Sequence, residues 1–263
     1  MTTLLQTSGL TRRYSGLVAV DHVDIAVAEG GVHAVIGPNG AGKTTLFNLL
    51  SGLVAPSAGT IAFAGADITR QPADRRARLG IARTFQNIRI FAAMTVLENV
   101  LTGAHVTLSA SLPEIVLRLP RFRAQERAAV RRAGAALALV GLQARAGERA
   151  DALSYGDQRR LEIARAMAAG PRLLLLDEPA AGMNPAETLA LGHLVRRIRD
   201  LGTTILLVEH DMGFVMDIAD HVTVLNFGRR IFGGDPAHIR SEPVVVEAYL
   251  GAKMAERLRE RAG

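Results

Sequence analysis

The chain has 263 residues, 49% of them hydrophobic and 21% charged, with 31 Lys+Arg against 25 Asp+Glu for a formal charge of +6. This is the composition of one or two folded globular domains; it excludes an intrinsically disordered chain, and no apolar run approaches the ~18–20 residues of a membrane span. The absence of cysteine removes disulfides, thiolate metal sites and cysteine nucleophiles together, and 4% aromatics without tryptophan leave little for a base-stacking nucleic-acid platform.

In chain order, Met1-Thr2-Thr3-Leu4-Leu5 lacks the basic start and apolar core of a secretory signal, so export is not expected. Residues 32–36 read as a short buried strand, ended by the glycine-rich stretch 37–42 and followed by a helix over 44–50 that stops near Gly52. A turn at 56–59 precedes a strand at 60–63, which predicts an additional strand pair near the start. From about 87 to 158 the chain is Ala-, Leu- and Arg-rich with few strand signals. A helix is predicted over 124–140, with Val130, Leu137 and Val140 as apolar positions; Pro113 and Pro120 predict an irregular connection over 108–123. Apolar strands at 173–176, 204–208 and 222–225 follow. Between the first two of these, a helix over 185–199 starts with Asn184 as N-cap and Pro185 at its first position. Short buried strands alternating with helices predict a mainly parallel sheet covered on both faces, interrupted by a helical insertion.

Gly37-Pro38-Asn39-Gly40-Ala41-Gly42-Lys43-Thr44 fits the phosphate-loop pattern, in the context that pattern requires: after a strand, before a helix. Small residues let successive N–H groups approach phosphates, and the following helix turns its positive end toward them. Lys43 is placed to reach the β and γ oxygens of ATP, and the Thr44 hydroxyl to ligate Mg2+. Asp177-Glu178 closes the strand at 173–176 on the edge where such sheets bind ligands. Asp177 is expected to orient Mg2+ through water, and Glu178 to act as general base.

Leu153-Ser154-Tyr155-Gly156-Asp157 lies directly before a further helix. A serine hydroxyl, a glycine amide and a helix N-terminus together make an anion site, although Ser154 reads equally as an ordinary N-cap, or as both. At this point the sequence resembles the ATP-binding cassette (ABC) transporter ATPases, whose signature is Leu-Ser-Gly-Gly-Gln; Tyr155 and Asp157 depart from it. The resemblance implies a P-loop core with a mainly parallel sheet, an antiparallel β subdomain and an inserted helical subdomain. It divides the chain into core segments 1–86 and 159–233, a signature subdomain 87–158 and a C-terminal extension 234–263. In the family the signature closes over the ATP of a second cassette, which makes Ser154, Tyr155, Gly156 and Asp157 residues acting in trans. It implies further that Gln86, in Arg83-Thr84-Phe85-Gln86, senses Mg2+ and the attacking water, that Asn184 belongs to the D-loop, that His210 contacts the γ-phosphate, and that Tyr14 stacks on adenine. Residues 37–45, through Thr45, would complete the nucleotide site.

Arg83-Thr84-Phe85-Gln86, the tyrosine-containing signature followed by Gln158-Arg159-Arg160-Leu161-Glu162, Ala181-Gly182-Met183-Asn184-Pro185 and Ala248-Tyr249-Leu250-Gly251 are most similar to the branched-chain amino acid importer ATPases. That likeness implies permease subunits, a second cassette, an extracytoplasmic solute-binding protein at one remove, and a peripheral place on the cytoplasmic face of the inner membrane. Urea, amide or lipopolysaccharide cargo and, in a different class, a soluble nucleic-acid- or ribosome-associated ATPase are the alternatives. Arg118, Arg121, Arg123, Arg127, Arg131 and Arg132, opposed only by Glu126 within that interval, make either a face for anionic headgroups or an acidic partner, or a solvated surface.

Overall fold

The computed structural model describes residues 2–107, 114, 117 and 119–250. Two sheets organise it. The first is antiparallel, in the order β2-β1-β4-β5, from β1 (Thr3–Tyr14), β2 (Leu17–Ala28), β4 (Ala58–Phe63) and β5 (Ala66–Asp67). The second runs β10-β9-β3-β8-β7-β6, from β3 (Val32–Ile36), β6 (Ile81–Arg83), β7 (Leu173–Asp177), β8 (Thr204–Val208), β9 (His221–Asn226) and β10 (Arg229–Gly234). All its pairings are parallel except β9 with β10.

The central strands β3, β7 and β8 are buried on both faces, and their side chains divide strictly by the two-residue period of a strand. Val35, Leu173, Leu175, Leu206 and Val208 enter a core shared with α1 (Lys43–Leu50) and the antiparallel sheet. Ala34, Ile36, Leu174, Leu176, Ile205 and Leu207 enter a second core. This one is shared with α3 (Val96–Ala104), α4 (Pro120–Val140), α5 (Tyr155–Met167), α6 (Pro185–Asp200) and α7 (Met212–Ile218). A short α2 (Ala73–Arg78), a C-terminal α8 (Pro243–Leu250) and short 3-10 segments, the longest Pro236–Ser241, are further helices among the described residues.

Asn184 caps α6 as expected, in a capping box with Glu187, and Pro185 opens the helix. The helical insertion differs in detail from the expectation. Pro120 does not break α4 but stands at its start, where a missing N–H has no consequence. Val130 is 44% exposed; the buried stripe is Ala129, Ala133, Ala136, Leu137 and Val140, small enough to let α4 lie against α3 and α5. Arg121, Arg123, Arg127 and Arg131 are exposed and Arg132 half-buried, and Arg121 meets Glu114, an acid outside the interval 118–132, at 3.2 Å. Pro113 and Arg118 lie outside the described residues, as do Gly251 and the charged tail beyond it. β1 and β2, at 12 residues each the longest strands, were not among the predicted elements. α5 continues unbroken across positions 158 and 159, between the expected insertion and core.

Candidate active site

Four neighbouring parallel strands, β3, β8, β7 and β6, end on one edge, and each delivers a segment singled out in the sequence. β3 runs into the phosphate loop, β7 ends at Asp177, β8 leads to Glu209 and His210, and β6 leads through Thr84 and Phe85 to Gln86. The loop requires glycine where it meets other backbone. A Cβ on Gly37, at φ +150°, would stand 2.1 Å from the Leu225 carbonyl oxygen, and one on Gly42, at φ +100°, 2.3 Å from that of Ala19. Gly42 is the N-cap of α1, and no side chain caps the helix, so its first N–H groups remain available to an anion.

Beside the loop lies a cleft of about 550 Å3, within the range of small-molecule sites. Asn39, Gly40, Ala41, Gly42, Lys43, Thr44 and Thr45 line it together with Gln86 and Glu178. The buried Lys43 ammonium donates to the loop's own carbonyls, Gly37 at 2.6 Å and Pro38 at 3.1 Å. Burial lowers its pKa, while the carboxylates of Glu178 and Asp177 act in the opposite direction.

Glu178 is the point of convergence. Its Oε2 accepts from Gln86 Nε2 at 2.8 Å and lies 3.9 Å from His210 Nδ1. The residue takes a left-handed backbone, φ +47°, with its N–H on the Val208 carbonyl at 3.0 Å. Strain at a non-glycine residue of this kind is of order 1–3 kcal/mol and collects at functional sites. His210 is exposed, and its backbone N–H and that of Ala180 donate to the fully buried Glu209 carboxylate at 3.1 and 2.8 Å. Burial raises the Glu209 pKa.

Asp177 stands behind the cleft rather than on its wall. It is buried, with Oδ2 held by Arg83 Nη2 at 2.7 Å; Arg83 also donates to Asn48 and Ser51 of α1 and its cap. Tyr14 does not reach the cleft wall, and the Arg12 guanidinium lies 4.5 Å over its ring. Leu17, Val18 and Phe227 supply the apolar lining instead. Phe227, 85% exposed on the β9–β10 turn, carried no signal in the sequence.

The signature residues lie away from this cleft. Ser154 Oγ accepts from the Asp157 N–H at 3.2 Å and is the N-cap of α5. Tyr155 takes the first helical position, where a side chain meets no strain. A Cβ on Gly156 would stand 2.7 Å from Glu187 Oε1, which the α6 cap holds in place. Asp157 is turned aside and neutralised by Arg145, at 2.8 Å, and by Arg160. The Asn184 side chain is taken by the Glu187 N–H at 3.0 Å.

The cleft fits a hard divalent cation that arrives with a phosphate. Its hydroxyl, amide and carboxylate oxygens from Thr44, Gln86 and Glu178 are of the type Mg2+ takes, and no cluster of three His, Cys, Asp or Glu among the described residues would cage an ion unaided.

Residues 20–181 match the family model described as ABC transporter. Over 249 residues the chain is 46% identical to the high-affinity branched-chain amino acid transport ATP-binding protein LivG of Salmonella typhimurium, covering 94% of this chain and 98% of the relative. It is 47% identical, with the same coverage, to the corresponding protein BraF of Pseudomonas aeruginosa. Among solved structures, the ADP conformation of an ATP-binding cassette of an ABC transporter superposes with a TM-score of 0.84 at 31% identity, over 95% of this chain and all of that one. The chain belongs to the ABC transporter family: it is an ABC-type ATPase, the nucleotide-binding component of a transporter. Among the described residues no helix is long and apolar enough to cross a membrane.

Proposed function

We propose that this chain hydrolyses ATP at the cleft beside residues 37–45 and thereby drives import of branched-chain amino acids, docked on permease subunits at the cytoplasmic face of the inner membrane. The observation that carries the hydrolytic reading is the meeting of Gln86 and His210 on one carboxylate oxygen of Glu178. The cargo is supported by the two curated relatives, whose names specify branched-chain amino acid transport.

The loop N–H groups and the α1 N-terminus bind the phosphates, and Lys43 exchanges its loop carbonyls for the β and γ oxygens. Glu178 accepts the proton of the attacking water; the Gln86 amide and His210 orient that water and the γ-phosphate. Thr44 and Gln86 would hold Mg2+ directly and Asp177 through water, the ion supplying charge neutralisation across the phosphates. The adenine lies against Leu17, Val18 and Phe227, with Tyr14 joining only when Arg12 leaves its ring.

The Ser154 hydroxyl and the backbone of residues 154–157 serve the cleft of a second cassette, with Asn184 at the same seam; their absence from the wall of their own chain's cleft supports this division. Core, signature subdomain and C-terminal extension divide near 86, 158 and 233, with α5 as the stiff link across the second boundary. An apolar groove of about 470 Å3 beside Phe85, Phe91 and Val106 offers the permease a seat next to the Gln86 segment. An extracytoplasmic binding protein would deliver the cargo without touching this chain.

Uptake of labelled leucine, isoleucine and valine tests the reading. Cells lacking the chain should lose high-affinity uptake of all three; the wild-type chain should restore it and Lys43→Ala should not. Uptake unaffected by loss of the chain would contradict the cargo, and restoration by Lys43→Ala would contradict the energy source.

A further inference from the structure

Tyr155 stands where the ABC signature has its first glycine, and the trans contact proposed for Ser154 makes no use of its side chain. In the structure that side chain bonds to two other residues of the chain. Tyr155 Oη donates to the Ala181 carbonyl at 3.2 Å and accepts from Arg159 Nη2 at 2.9 Å, and its ring would lie 3.2 Å from a Cβ on Gly182. The Arg159 guanidinium reaches on: Nη1 donates to the Phe85 carbonyl at 2.9 Å and Nη2 to that of Gln86. Arg159 is 4% exposed, and its charge is offset by the buried Glu162 at 3.8 Å.

One buried cation therefore binds the two carbonyls that fix the backbone of Gln86, whose side chain holds Glu178 at 2.8 Å. A planar guanidinium is suited to this, because its rigid fork can satisfy several carbonyls at once, whereas an ammonium presents a single charge point. The Tyr155 hydroxyl fixes the fork from the other side and anchors it to the segment following Glu178. Positions 86, 155, 159 and 178 thus form one connected set, Glu178–Gln86–Arg159–Tyr155, closed through Ala181 to within three residues of Glu178.

We propose that Tyr155 and Arg159 are positioning residues for hydrolysis in their own chain: they hold the Gln86 backbone so that its amide meets Glu178, while Ser154 beside them serves the opposite cassette. The proposal rests on the hydrolytic reading above and adds that the tyrosine of the signature acts in cis, through Gln86.

Steady-state ATP hydrolysis by Tyr155→Phe, made in wild-type and in Gln86→Ala backgrounds and measured on the cassette with its partner subunits, tests it. The phenylalanine keeps the ring on Gly182 and removes only the hydroxyl, and thermal melts establish that the variant is folded. Losing both hydroxyl bonds should lower kcat about tenfold at unchanged KM for ATP in the wild-type background. In Gln86→Ala, whose amide is already gone, the same substitution should lower kcat no further. Arg159→Lys, which retains the charge beside Glu162 but not the fork, should reproduce the fall in kcat at unchanged KM. An unchanged kcat in Tyr155→Phe, or an equal further loss in the Gln86→Ala background, would overturn the proposal. A wild-type cassette without turnover would instead overturn the hydrolytic reading itself.

Discussion

At the residue scale, His33 shows how far burial moves a titration. It lies on β3, 3% exposed, with Nε2 2.9 Å from the Thr223 hydroxyl, the His221 ring 4.7 Å away and the Arg230 cation nearby. Burial first, then the two neighbours, lowers its pKa from 6.5 to about 3. The unfolded chain therefore takes up a proton near pH 6.5 that the folded chain refuses until about pH 3. The neutral ring's contribution is complete above pH 6.5 and is lost as pH falls through that window, at up to about 1.4 kcal/mol per pH unit. Urea midpoints at pH 7 and pH 5 should fall less for His33→Gln than for wild type; equal falls would assign the acid sensitivity elsewhere. Arg83 makes a related point about legibility. The sequence marks it only as part of the text before Gln86, whereas the fold shows it to be the buried counter-ion of Asp177 and its tether to α1. No local pattern announces a partner 94 residues away.

At the element scale, two helical glycines with the same intrinsic propensity stand in opposite surroundings. Gly103 of α3 faces α5 so closely that an ideal Cβ would lie 1.9 Å from the Arg165 carbonyl oxygen. Gly134 of α4 has nothing within 4 Å of that position. Gly103→Ala should destabilise the fold by about 1–3 kcal/mol as α3 is forced from α5, despite the gain in helix propensity. Gly134→Ala should stabilise it by about 0.5–1 kcal/mol. Denaturant midpoints of the two variants check both signs, and a stabilised Gly103→Ala would refute the close packing. The same insertion shows where periodicity misleads. Apolar residues at 130, 137 and 140 suggested the buried stripe, but alanines carry most of it, and an alanine face is indistinguishable in sequence from a merely helix-favouring one.

At the scale of the whole molecule, the parallel strands β3, β7, β8 and β9 were legible because each is a short apolar run, as in Leu173–Asp177 and Thr204–Val208, whereas β6 has only three residues, Ile-Ala-Arg, and left no such run to read. β1 was not, because it buries Thr7 and Thr11 among its apolar residues and its register with β2 shifts at several points, which erases a regular alternation. The phosphate loop, Asp177, Glu178, Gln86 and His210 were legible as motifs, and the parallel sheet explains why they meet: the strands that carry them end side by side. The apolar wall from Leu17, Val18 and Phe227 was not, since it joins a hairpin of one sheet to an edge turn of the other.

The central claim is that Glu178, set by Gln86, activates the water that cleaves ATP. Hydrolysis and nucleotide retention by Glu178→Gln, measured together on the cassette with its partner subunits, test it most directly. The amide cannot take the proton, so turnover should fall by about 10²–10⁴-fold while ATP remains bound at the cleft. Turnover equal to wild type with ATP bound would contradict the claim.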